Sequence, residues 1–181
     1  MTAAKSSFGA EVELRTWKDE DLPFLQKLRN DVELQAQLLS TARGSDMDAV
    51  RAWLDRRTTG RDRLFRVIAV DDGNSAAGYL QAEAIAETPD RWSFGICIAP
   101  DCQGAGLGTA SLLALERLLV TSFGAQELTL EVGARNAPAI RCYHGLGYIW
   151  SDAPVRQVLV CGETIEARCM IKLLVTDEHR A

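Results

Sequence analysis

The stretch from Ile98 to Thr109, Ile-Ala-Pro-Asp-Cys-Gln-Gly-Ala-Gly-Leu-Gly-Thr, carries the residue types of an anion cradle. An apolar, strand-like segment runs into a turn with Gly104, Gly106 and Gly108 at alternate positions, and an amphipathic helical pattern follows. Glycines lack a Cβ, so the backbone can curl and present its N–H groups to an anion. The start of the helix adds unpaired N–H groups and the positive end of the aligned peptide dipoles. A second stretch, Asn136 to Tyr148, reads Asn-Ala-Pro-Ala-Ile-Arg-Cys-Tyr-His-Gly-Leu-Gly-Tyr. Asn136 can cap a helix, Pro138 fits its first turn, and Gly145 and Gly147 suit its end and the turn beyond.

A P-loop needs Gly-Lys followed by Ser or Thr, and the cradle has no lysine. A dinucleotide fingerprint reads G-x-G-x-x-G near the start of a βαβ unit. This chain has G-x-G-x-G past its midpoint. The bland alternative is an ordinary glycine-rich turn between strand and helix. The remaining pattern is Gln103-Gly104-x-Gly106-x-Gly108 after a strand that ends in x-Pro. With Asn136-x-x-Ala139, then Tyr143, then Gly147-Tyr148, it resembles motifs A and B of the GNAT superfamily of N-acetyltransferases. The resemblance covers about Leu64 to Lys172 well and the N-terminal part more loosely.

That resemblance implies an α/β fold, with a central mixed, mostly antiparallel sheet flanked by helices and splayed where acetyl-CoA binds. It implies one domain over residues 1–181, with residues 1–10 a flexible tail. It implies acetyl-CoA as co-substrate, its pyrophosphate on the backbone of Gln103, Gly104, Ala105, Gly106, Leu107, Gly108 and Thr109. Ile96, Cys97 and Ile98 would pair with the pantetheine arm, and Asn136 would reach it from the other side. Tyr143 matches the family tyrosine that protonates the leaving sulfur; its structural alternative is a core tyrosine.

Acetyl transfer to an amine also needs the ammonium to lose a proton. Similar proteins often carry an acidic residue just before the aromatic of the strand that leads into motif A. Here Ser93 precedes Phe94 and cannot accept a proton near neutral pH. Glu83 on the preceding strand is one substitute. A water path, or substrate arriving as the free amine, is another, and Glu131 is a weaker choice. Cys97 and Cys142 read as packing thiols, and His144 as surface or structural. Arg29-Asn30 and Arg91-Trp92 border the acceptor pocket, or are simply a helix end and a strand edge.

The start, Leu14-Arg15-Thr16-Trp17, and Phe94-Gly95-Ile96 before the cradle are similar to ribosomal-protein N-terminal and spermidine acetyltransferases. Leu28-Arg29-Asn30-Asp31 is similar to amino-sugar acetyltransferases. The implied acceptor is therefore a primary amine on a protein N-terminus, a polyamine or an amino sugar. The alternatives are a CoA-binding protein on the same scaffold that has lost catalysis, which Ser93 keeps open, and a dinucleotide-binding module.

Composition narrows the classes. A chain of 181 residues with 47% hydrophobic content suits one globular domain. No apolar run approaches the roughly 18 residues that cross a bilayer, and no secretory leader is visible, so the expectation is a cytoplasmic protein without a membrane partner. Five cysteines without paired spacing and two histidines make a metal site improbable. A net charge of −5 argues against nucleic acid. A homodimer is left open.

The elements that must position these residues follow from periodicity. Strands are expected over Glu11–Trp17, Leu64–Val70, Gly78–Ile85, Trp92–Ile98, Glu127–Val132, Val155–Val160 and Thr164–Leu174, with a hairpin at Asp72-Gly73-Asn74. Helices are expected through Leu22, Leu25 and Leu28 to Arg29, around Val32 to Leu39, from Ser45 or Asp46 to Thr58, through Leu112, Leu115, Leu119 and Phe123, and over Ala137–His144.

Overall fold

The computed structural model describes residues 4–5 and 11–174. Its centre is a run of antiparallel strands. β1 (Ala4–Lys5) pairs with β2 (Glu11–Arg15), which pairs with β3 (Arg63–Val70), and β3 pairs with β4 (Ser75–Ile85). β4 pairs with β5 (Thr88–Ile98) through a tight turn. β6 (Glu127–Gly133) joins β5 in parallel, then pairs antiparallel with β9 (Glu163–Leu173). β7 (Ile149–Trp150) and β8 (Arg156–Val160) flank β9. This is the expected α/β architecture with a mixed, mostly antiparallel sheet.

Several expected boundaries move. β2 ends at Arg15 rather than Trp17: Arg15 is its last ladder residue, opposite Val67, and its side chain reaches forward to Asp21 at the start of the first helical turn. β4 starts at Ser75 and β5 at Thr88, earlier than the apolar pattern showed. Their first residues are exposed or half-buried and carry no alternation, yet they still make ladder bonds. β7 has two residues, too few for any period. Of the tail expected over residues 1–10, only Ala4–Lys5 is described, paired with β2; the rest lies outside the described residues.

Helices cover both faces. On one, α1 (Leu22–Asn30), α2 (Val32–Gln37) and α3 (Met47–Thr58) bury Leu25, Leu28, Leu34 and Leu54 against Phe65, Val67, Tyr79 and Cys97. α1 is anchored by a two-pronged ion pair. Arg15 donates to both Asp21 oxygens at 2.7 and 2.8 Å. Burial pushes the Asp21 carboxyl up, but Arg15 and the Lys18 N–H outweigh it and hold it below its ordinary value. Asp46, not Ser45, caps α3, accepting from the Ala49 N–H at 2.8 Å. On the other face, α4 (Leu107–Phe123) and α5 (Ala137–Gly145) bury Leu112, Leu115, Leu119 and Tyr143 against Leu80, Phe94, Leu128 and Leu130.

The chain has three tyrosines, and Tyr79, Tyr143 and Tyr148 are all buried. Burial raises each phenol above its ordinary value of 10.0. A group whose folded pKa lies above its unfolded one contributes stability that is complete below the unfolded value and is lost as pH rises beyond it. We therefore expect alkaline unfolding to begin above a pH of about 10. Tyrosinate absorbance should rise in one step, together with loss of circular dichroism. A separate, earlier tyrosinate transition in folded protein would show that one phenol is free.

Candidate active site

The parallel pairing of β5 and β6 is brief. Arg91, Trp92 and Ser93 face Glu127, Leu128 and Thr129, and there it ends. Arg91 donates from Nε to Glu127 at 2.8 Å, clamping the closed end. Beyond Ser93, β5 keeps only β4 as a partner and β6 keeps only β9. A gap opens between them, and a cleft of about 1220 Å³ runs through it. The Ala99 N–H donates to the Ala77 carbonyl. By strand alternation, Cys97 and Gly95 also turn their polar groups to β4, while Ile98, Ile96 and Phe94 turn theirs into the gap. Ile96 and Ile98 therefore face the gap. Cys97 does not. Its side chain is 1% exposed in the other core, where burial pushes the thiol up to about 12.

The cradle closes the upper end of the cleft. A single 3-10 turn at Pro100–Cys102 carries the chain off β5, and Gln103 turns back to donate to the Ile98 carbonyl at 3.1 Å. Gly104 and Gly106 then adopt φ of +79° and +78°, a left-handed backbone that disfavours any side chain. The first bond of α4 runs from the Ala110 N–H to the Gly106 carbonyl. No side chain caps this helix and no acid lies in its first turn. The N–H groups of Leu107, Gly108 and Thr109 are thus left for an external acceptor. A Cβ added at Gly104 or Gly106 would meet no protein atom within 4 Å, so the space above the turn is open. This arrangement fits the pyrophosphate of acetyl-CoA. Ala105 lies at the turn's exposed outer side, away from the cleft lining.

α5 closes the cleft from the β6 side. The Asn136 Oδ1 accepts from the Ala139 N–H at 3.3 Å, so that oxygen is committed to the cap while the residue still lines the cleft. Tyr143 is 8% exposed, lines the cleft, and packs edge-on against Phe94 and Tyr148. Burial, and secondarily Cys142, hold its phenol above the ordinary range. The Cys142 Sγ lies 3.4 Å from the Thr109 hydroxyl, fixing α5 against the start of α4. His144 is structural: its Nδ1 lies 3.0 Å from the Tyr148 carbonyl in the turn after α5.

Beyond the gap, the face under α1 and α3 forms a polar floor. Tyr79, Gln81 and Glu83 point to that face from β4, opposite Cys97, Gly95 and Ser93 of β5. Glu83 is tied to two guanidinium groups, Arg57 at 3.3 Å and Arg63 at 3.9 Å. The Ser93 hydroxyl lies 3.4 Å from the Glu83 carbonyl. Glu131, across the cleft, is paired with Arg156 at 3.2 Å. Arg29 from α1 stacks its guanidinium 4.3 Å over the Trp53 ring and lines the cleft. Its neighbour Asn30 instead braces the chain before α3, bonding Ser45 at 2.7 and 2.8 Å. Arg91 and Trp92 also stay out of the cleft, one clamped to Glu127 and the other 2% exposed in the core.

The sequence reading missed Gln81, Arg57 and the stacking of Arg29. A signal for Arg29 was present. It falls four residues after Leu25 and seven after Leu22, on the apolar stripe of α1 where a charge is unexpected.

A splayed α/β sheet with an uncapped helix start above the gap defines an acyltransferase fold built for a CoA thioester. Residues 24–148 match the model of the acetyltransferase (GNAT) family, and the chain belongs to that family. As a member it is an acetyl-CoA-dependent acyltransferase. No curated protein matches it by sequence. Among solved structures it is similar to spermidine N-acetyltransferase from Vibrio cholerae in complex with CoA and spermine. The TM-score is 0.81 at 19% identity, over 90% of this chain and 95% of that one. It is also similar to a dodecameric structure of spermidine N-acetyltransferase from Vibrio cholerae in an intermediate state. There the TM-score is 0.75 at 19% identity, over 94% and 98%. At these identities the likeness concerns the fold. No helix among the described residues is long and apolar enough to cross a membrane.

Gly106→Asp tests the cradle. It puts a carboxylate beside three N–H groups that await an anion, and a side chain on a left-handed backbone. The apparent Michaelis constant for acetyl-CoA should rise by about tenfold or more, equivalent to about 1.4 kcal/mol of lost binding. Unchanged cofactor affinity in a folded variant would remove the cradle from the site.

Proposed function

We propose that this protein moves an acetyl group from acetyl-CoA directly to a primary amine, without a covalent acyl-enzyme. The observation that carries this is the placement of Tyr143 and of the open β5 edge on the two sides of one gap, below the anion cradle. When bound, acetyl-CoA supplies an acyl group already activated as a thioester. The N–H groups of Leu107, Gly108 and Thr109 hold the pyrophosphate. The free polar edge of Phe94, Ile96 and Ile98 receives the extended arm as a sheet edge receives a strand. An N–H on that edge is placed to polarise the thioester oxygen.

In the transfer a C–N bond forms and a C–S bond breaks. The amine loses a proton and the sulfur gains one. Tyr143 serves the sulfur. Its burial keeps the phenol protonated at neutral pH, so it is always a donor. A thiol ordinarily holds its proton only up to about 8.5, so complete transfer from a phenol held above 10 is uphill. Tyr143 therefore acts by donating a hydrogen bond to the sulfur as charge develops, and solvent completes the protonation. No nucleophilic role falls to Cys97, which is walled into the other core. On the amine side, the Glu83 carboxylate is already tied to Arg57 and Arg63, and Ser93 offers only a hydroxyl. The open cleft lets the amine proton leave through water.

Two variants test this assignment. Tyr143→Phe should lower turnover by about 10²-fold or more while acetyl-CoA binding stays nearly intact. Turnover near wild type, with chemistry rate-limiting, would reduce Tyr143 to packing. Glu83→Gln should change turnover by less than about threefold, and the rate should follow the free-amine fraction of the acceptor as pH rises. A large loss partly restored at high pH would make Glu83 the base. Tight CoA binding with no acetylation across a broad amine panel at high pH would leave a CoA-binding protein on this scaffold.

A further inference from the structure

We infer that the acceptor is a primary amine that also carries an anionic group, a carboxylate or phosphate, taken by Arg29 while the side-chain amide of Gln81 receives the amine. The inference rests on the acetyl-transfer reading and deepens it.

Arg29 is a cation without a counter-charge. Its Nε is fully buried with no hydrogen-bond partner, and none of the ion pairs among the described residues includes it. The guanidinium carbon lies 4.3 Å from the centre of the Trp53 ring, so the aromatic ring takes one side of the group, and N–H groups that no protein acceptor takes are of the kind a carboxylate or phosphate binds. Burial depresses its affinity for the proton; Tyr79 opposes that shift, and the nearby charges of Arg56, Arg43 and Arg57 add to it. An incoming anion would offset both the burial and those like charges.

The carboxylates of the cleft point the same way. Glu83 and Glu131 are the acidic residues in its lining, and each is already held by arginine. A polycation entering here would find no free carboxylate and would meet Arg29. Gln81 completes the constellation. It folds over Gly95, and its Oε1 is buried without a partner. A buried acceptor left unmade is costly, and an amine N–H at that point would satisfy it. One wall thus holds an unused donor and an unused acceptor, the two halves of an amine that bears an anion.

The test is an acceptor panel with four arms: free amino acids, aminoalkyl phosphates, the matched amines lacking the anionic group, and spermidine. For wild type, kcat/KM should favour one anionic arm over its matched amines by about tenfold or more. Which arm wins separates carboxylate from phosphate. Arg29→Gln should bring the anionic-to-neutral ratio toward one, chiefly through KM, and Arg29→Lys should keep part of it. Spermidine or neutral amines preferred by wild type would overturn the proposal, and so would an Arg29→Gln loss equal across all arms. Should Arg29→Gln fail to fold, the wild-type panel and Arg29→Lys decide. If nothing is acetylated while CoA binds, the acetyl-transfer reading fails by itself. Calorimetric titration of the anionic acceptors into CoA-loaded protein then decides the Arg29 claim. Binding lost in Arg29→Gln upholds it, and no binding to wild type ends it.

Discussion

Two neighbouring strands stop pairing part-way along their length, and the rest of the site depends on that. A backbone edge inside a sheet is normally satisfied by the next strand, because leaving its N–H and C=O groups without partners is costly. β5 and β6 share three residue pairs and then separate, each holding on to its outer neighbour. The β4–β5 hairpin and the β6–β9 ladder are long enough to keep both strands straight without each other. What remains is an extended polar edge with helices on either side, open to a ligand that can lie along it.

The cradle and the floor meet this edge from opposite directions, and their electrostatics differ. Above, the positive character comes from peptide groups at the start of α4, with no side-chain charge involved. Beyond the gap, it comes from guanidinium groups; of those lining the cleft, Arg57 is held by Glu83, while Arg29 and Arg135 have no ion-pair partner among the described residues. Arg29 is held in place by an aromatic cluster instead of by a carboxylate. Trp53 meets Phe65 and Tyr79 at ring distances of 5.1 and 5.3 Å, so the surface on which Arg29 rests is part of the core.

What was legible in the sequence was local. The alternate glycines, the Asn136 cap and the α5 pattern are set by residues a few positions apart, and their geometry follows from φ preferences and end effects. The meander of β3, β4 and β5 was legible where Leu64–Val70 forms an apolar run broken only by Arg66 and where Trp92–Ile98 alternates. It was lost at Ser75–Ala76 and at Thr88–Arg91, where exposed or half-buried residues extend the strands without an apolar pattern. The parting of β5 and β6 left no mark in composition, since it is decided by which strands β6 and β9 bring together from far along the chain. Cys97 shows the same limit. Its place next to the cradle suggested the gap, but one step of strand alternation turns it to the other face. The pairing of Glu83 with Arg57 and Arg63 joins β4, α3 and β3, so spacing alone could not show that this carboxylate is occupied.

The narrow join between β5 and β6 has a mechanical consequence. The sheet is in effect two half-sheets, hinged at three residue pairs and bridged by α4 across one face. Opening and closing of the wedge is the softest motion such a layout permits, because it strains only that short seam. A molecule bonded to both sides restores the missing continuity. It would stiffen the whole domain, and ligand occupancy and folding stability become a single linked equilibrium.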